Sequence, residues 1–107
     1  MNFKNRTFKI FNTTYKLKFV DSIESEDNNS TVLGTTDSSL KIIEIRTKDK
    51  LGKVINKNDL YITLLHEIIH AIFIEGQYLQ ANQDEPLVEW TAKCLKHLID
   101  QKVLVGN

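Results

Sequence analysis

The stretch Asp59-Leu-Tyr-Ile-Thr-Leu-Leu-His-Glu-Ile-Ile-His-Ala-Ile-Phe-Ile-Glu75 decides how this chain is built. Leu60, Ile62, Leu64, Leu65, Ile68, Ile69, Ala71, Ile72, Phe73 and Ile74 wrap nearly the whole circumference of a helix. A helix apolar on almost every side is buried on most sides. Asn58 or Asp59 suits its start and Gly76 its end, which predicts a central helix over about residues 58–75.

The apolar run is interrupted by His66-Glu67-Ile68-Ile69-His70, which reads H-E-x-x-H. Histidines four apart lie one turn above each other, so both imidazoles can meet one ion. Glu67, beside the first of them, can take the proton from a water that the ion activates. At average composition a five-residue window matches this pattern with a probability on the order of 10⁻⁵. Burying three unpartnered polar groups in the most apolar stretch would be costly, so a core that only needed filling would not carry them.

The remainder of the chain builds around that helix. Phe3 to Phe11 alternates with Lys4, Arg6 and Lys9, and Tyr15, Leu17 and Phe19 alternate with Lys16 and Lys18 across a polar Asn12-Thr13-Thr14. This predicts an N-terminal antiparallel hairpin. Asp21 to Ser30 is an acidic surface loop without the glycine and terminal glutamate of a calcium loop. Strands are expected near 32–36 and 40–46, with a turn at Asp37-Ser38-Ser39 between them and a polar connection from Lys48 to Lys57. Gln77 to Asp84 has no strong periodicity. Glu85-Pro86 then opens a helix over about 86–102, with Leu87, Val88, Ala92, Leu95, Leu98 and Ile99 on its apolar face. The fold class is α+β: a small, mainly antiparallel sheet, a buried central helix and a C-terminal helix, in one domain over 1–107.

Composition narrows the partners. Fourteen basic and fourteen acidic residues cancel, so no net charge favours nucleic acid or an anionic membrane. No segment reaches the roughly 18 apolar residues of a membrane span, and the N-terminus lacks a signal-like apolar stretch. Cys94 has no partner for a disulfide, so a cytoplasmic address is the simplest expectation.

A catalytic zinc ion takes three protein ligands and leaves a fourth position for water, so the two histidines need a third group. A third histidine six residues beyond His70 is excluded, because Gly76 stands there. Glu89 is the favoured third ligand, held on the last helix by Val88, Ala92 and Leu95. Glu85, one turn earlier on the same face, is its competitor or an acceptor for a ligand imidazole. His97 reads as a surface residue and Cys94 as a small core residue.

Leu-Leu-His-Glu-Ile-Ile-His-Ala-Ile followed by Glu89, Ala92 and Leu95 resembles the minimal gluzincin metallopeptidases of the ImmA/IrrE type, in the short version carried by phages and prophages. The resemblance covers roughly residues 32 to 100 and includes the glycine-bearing segment Leu33 to Asp37. It implies one zinc ion on His66, His70 and Glu89, Glu67 as general base, and hydrolysis of a peptide bond in the cytoplasm of a bacterial host. It also implies an extended peptide substrate paired along an edge strand near 41–46. Two departures stand out: the chain has no helix-turn-helix or sensor segment, and Lys93 occupies the place, four residues after Glu89, where larger gluzincins carry an aspartate. The alternative is a non-catalytic zinc-binding protein whose metal serves stability or partner binding.

Overall fold

The computed structural model describes residues 3–23 and 32–104. It contains strands β1 (Arg6–Ile10), β2 (Thr13–Val20), β3 (Gly34–Asp37) and β4 (Ile42–Arg46), followed by helices α1 (Lys57–Glu75), α2 (Leu79–Gln83) and α3 (Glu85–Asp100). The architecture is α+β, with one four-stranded sheet in the order β1-β2-β4-β3. Most of the acidic segment after Asp21 lies outside the described residues.

β1 and β2 form the expected hairpin, with Ile10 opposite Thr13 and Phe11 at φ 52° in the turn. The inward face of β1 is Phe8 and Ile10, while Thr7 faces solvent and Phe11 is almost fully exposed. Phe8 stacks on Tyr15, and Phe3 packs edge-on against Phe19. β3 and β4 are antiparallel, but β4 runs parallel to β2, so the sheet is mixed. Composition explains the order. β4 (Ile-Ile-Glu-Ile-Arg) buries Ile43 and Ile45 completely and takes an interior place. β3 (Gly-Thr-Thr-Asp) has no apolar side chain to bury and is left at the edge.

That order corrects one expectation. The strand near 41–46 is not an edge: its backbone is paired to β2 on one side and to β3 on the other. It begins at Ile42 because Asp37 accepts hydrogen bonds from the amides of Ser39 and Leu40, which draws residues 38–41 into the turn, with Lys41 at φ 56°.

α1 starts earlier than Asn58 and Asp59 suggest. Asn56 caps it, accepting from the Asp59 amide at 2.9 Å, while Asp59 returns an acceptor to the Asn56 side chain. At the other end the left-handed residue is Gln77 (φ 62°) and not Gly76. At Gly76 itself, with φ −82°, the exposed Tyr78 ring lies 2.8 Å from where a Cβ would stand, so a side chain there would displace that ring. The connector then forms the single turn α2, and Asp84 caps α3 through the Leu87 amide, with Pro86 in the first turn. α3 ends at Asp100, short of 102.

α1 is buried on two sides, as its sequence requires. Leu60, Leu64 and Ala71 join Tyr15, Leu17, Ile43 and Ile45 in a core against the sheet. Ile69 joins Val88 and Ala92 in a second core under α3, with Ile62, Leu65, Phe73 and Leu95 around it. Ile72 is the gap in this envelope, at 46% exposure. No helix among the described residues is long and apolar enough to cross a membrane.

The last turn of α1 is fastened to the sheet by polar contacts. Glu75 accepts from the Tyr15 hydroxyl at 2.6 Å and from Lys41 Nζ at 2.8 Å. Hydrogen bonds from Lys41, Tyr15 and Thr13 hold the Glu75 carboxyl down to about 2, from an ordinary 4.5. Burial, and then Glu75, push the Tyr15 phenol upward. A depressed carboxyl stabilises the fold fully above its unfolded value, and that contribution is lost as pH falls through the folded value. Glu75→Gln is therefore expected to lower the stability of the metal-free protein at pH 7, with the difference from wild type narrowing as pH falls from 4.5 toward 2. Urea unfolding at several pH values measures this.

Candidate metal centre

α1 presents His66 and His70 one turn apart on the face that meets the beginning of α3. Their Nε2 atoms are 3.2 Å apart and their rings stand edge to face. Glu85, in the first turn of α3, brings one carboxylate oxygen to 2.9 Å from His66 Nε2 and the other to 3.0 Å from His70 Nε2. Both imidazoles are mostly buried, whereas the Glu85 carboxylate is open to a cleft of about 990 Å³. A carboxylate at this position also suits the positive end of α3.

The outer ring nitrogens have acceptors of their own. His70 Nδ1 is 2.8 Å from Asn82 Oδ1, supplied by α2. His66 Nδ1 faces Glu89 at 3.7 Å, an electrostatic contact beyond direct hydrogen-bonding distance. In the neutral imidazole whose Nδ1–H donates to Asn82, Nε2 carries the lone pair that a metal ion would take. Ligand atoms placed tetrahedrally at about 2.0–2.1 Å from a zinc ion lie roughly 3.3 Å from one another. The two Nε2 atoms, 3.2 Å apart, are close to that value, and each faces its own Glu85 oxygen, at 2.9 and 3.0 Å. His66, His70 and Glu85 are thus a set that can hold one metal ion.

Glu67 lines the same cleft as His66, His70 and Glu85. It is 7% exposed and is the buried charged residue among those described. Burial pushes its carboxyl above the ordinary 4.5, against smaller lowering effects from Thr36, His66 and His70. Thr36 of β3 donates its hydroxyl toward Glu67 Oε1 at 2.8 Å, and the Glu67 main-chain carbonyl lies 3.0 Å from the same hydroxyl. Gly34 permits this approach: a Cβ there would stand 2.8 Å from Glu67 Cγ and 3.0 Å from Thr63 Cγ2.

Of the residues singled out by sequence, the structure brings together His66, Glu67, His70 and Glu85. It sets Glu89 one turn further on, behind His66 and not beside the two Nε2 atoms. Of the two carboxylates, Glu85 is the one that clusters with both Nε2 atoms, while Glu89 faces His66 Nδ1 at 3.7 Å. The reason is the one-turn helix α2, which uses up the connector and starts α3 level with His66 and His70. The position four residues after Glu85 is Glu89 itself. Asn82 and Thr36 escape sequence reasoning, because nothing in a connector without periodicity or in a short polar strand signals a distant imidazole or carboxylate. His97 is exposed, and Cys94 is half-buried on α3 with a free thiol.

No family model matches the chain, and no curated protein or solved structure matches it significantly.

The geometry makes an ordered prediction for metal affinity. Glu85→Ala is expected to weaken zinc binding by more than about 100-fold, and Asn82→Leu or Glu89→Ala by roughly 10-fold each. Competition titration against a chromogenic chelator measures all three. A larger loss from Glu89→Ala than from Glu85→Ala would exchange the roles assigned to the two carboxylates.

Proposed function

We propose that this protein is a zinc-dependent peptidase. The observation that carries the reading is the convergence of His66, His70 and Glu85 at one point, with the buried carboxylate of Glu67 beside them on the wall of an open cleft. When bound, the ion supplies a Lewis acid that polarises a carbonyl and makes water a nucleophile near neutral pH. The chain supplies the rest.

Glu67 takes the proton from the attacking water and returns it to the leaving amine nitrogen. Burial suits it to both tasks, because a carboxylate kept away from solvent holds a proton more readily than an exposed one. Asn82 and Glu89 orient the two imidazoles by facing their Nδ1 atoms, which leaves each Nε2 free to bind.

An extended peptide has one sheet edge beside the site to pair with. β3 bonds to β4 on one side only, and Gly34 and Thr36 on it touch Glu67. Substrate main chain added to β3 would run past the base, as in other cases of strand addition. Further along the cleft, Leu33 and Val54 expose apolar side chains next to Ile62, a wall suited to an apolar substrate residue. A cytoplasmic place of action fits a chain whose one cysteine, Cys94, is a free thiol.

Glu67→Gln keeps the shape of the side chain and removes the base. It is expected to bind zinc stoichiometrically while losing at least about 100-fold in cleavage rate. Elemental analysis together with a digest of a proteome-derived peptide library tests both halves, and a Glu67→Gln protein as active as wild type would refute the catalytic reading.

A further inference from the structure

The hydroxyl of Thr36 has one hydrogen and two acceptors, both on Glu67: carboxylate Oε1 at 2.8 Å and the main-chain carbonyl at 3.0 Å. Thr36 is itself fixed by the sheet, in register with Ile43, a fully buried residue of β4. A buried carboxylate that can rotate about its own side-chain torsions is therefore tied to a rigid strand through one of its two oxygens. The other oxygen, Oε2, lies over Gly34, 3.2 Å from where a Cβ would stand. Gly34 and Glu67 both line the cleft that contains His66, His70 and Glu85. The two carboxylate oxygens are thus unlike in their surroundings: Oε1 is anchored, and Oε2 sits over a residue with no side chain.

We propose that Thr36 is a positioning residue for the general base, its hydroxyl holding Glu67 Oε1 so that Oε2, over Gly34, is the oxygen that exchanges the proton. This rests on the peptidase reading above. In the forward step the O–H bond of water breaks and its proton passes to Oε2. In the return step that O–H bond breaks and the proton passes to the amine nitrogen, leaving Glu67 as it began. Throughout, the carboxylate needs no search for its orientation, because the Thr36 contact has selected it. Strand β3 thereby has two duties: its main-chain edge faces the substrate, and its side chains aim the base. A misplacement of a catalytic group by about 1 Å can cost on the order of 100-fold in rate, so one hydroxyl is enough to matter.

Two substitutions separate this role from simple packing. Thr36→Val keeps the shape and removes the donor; Thr36→Ser keeps the donor and removes a methyl group. In the zinc-loaded protein, Thr36→Val is expected to lower kcat by roughly 10- to 100-fold on a pooled library of fluorogenic peptides, with KM changed less than about twofold. Thr36→Ser is expected to stay close to wild type, and zinc content to be equal in all three. A second reading does not depend on turnover: the ¹³C carboxyl resonance of Glu67, assigned by its loss in Glu67→Gln, is expected to shift or broaden in Thr36→Val and to stay in place in Thr36→Ser. A Thr36→Val protein with wild-type kcat and an unmoved Glu67 resonance overturns the proposal, as does Thr36→Ser behaving like Thr36→Val. If wild type itself cleaves nothing, the peptidase reading fails, and an unmoved resonance in Thr36→Val then rejects the anchoring while a shifted one retains it.

Discussion

The packing of α1 against the first turns of α3 is the contact on which the rest of this molecule depends. Ile69 meets Val88 and Ala92 in a small apolar core, and that core sets the two helices at the distance where Glu85 reaches both His66 and His70. Three polar groups converge because apolar neighbours on the same helices have nowhere else to go. Leu→Ala-type truncations in such cores cost about 2–5 kcal/mol, more than enough to release the first turn of a short helix from its place. The convergence of His66, His70 and Glu85 is therefore a consequence of core packing, with the polar contacts added on top of it.

The side of α1 that meets the sheet shows the same economy of parts. The sheet packs on Leu60, Leu64 and Ala71, and the strand at its edge brings Gly34 and Thr36 against Glu67. A polar group buried without a partner costs about 1–3 kcal/mol, and no buried side-chain polar atom among the described residues is left in that state. Thr36 removes this cost for Glu67, and in doing so selects one orientation of its carboxylate. At the far end of α1, Tyr15 and Lys41 do the same for Glu75. The helix is thus held to the sheet at two polar points about two turns apart, which limits any sliding of His66 and His70 relative to β3.

Much of this is legible in the residues. Apolar positions all round 60–74 require a helix covered on both sides, and the H-E-x-x-H spacing places two imidazoles on one face of it. Alternation in the first twenty residues specifies a hairpin, and Glu85-Pro86 specifies where the last helix opens. These signals are local: they depend on the period of a helix or a strand and on the conformational limits of single residues. The departures are also physical in origin. Phe11 extends the apolar pattern of β1 yet forms the turn, and the resemblance makes 41–46 an edge although its isoleucines call for the interior.

The sequence by itself determined that two histidines and a glutamate would share a buried helix, because i, i+4 spacing and apolar flanks leave no other arrangement. It did not determine which acidic residue lies against both imidazoles. Glu85 and Glu89 sit one turn apart on the same helix face, so periodicity treats them alike, and the choice falls to the length and shape of α2. The pairing of β4 with β2, the approach of Thr36 to Glu67 and of Asn82 to His70 were likewise decided only by tertiary structure. Each joins residues at least twelve apart in the chain, and no local propensity encodes a contact across such a distance.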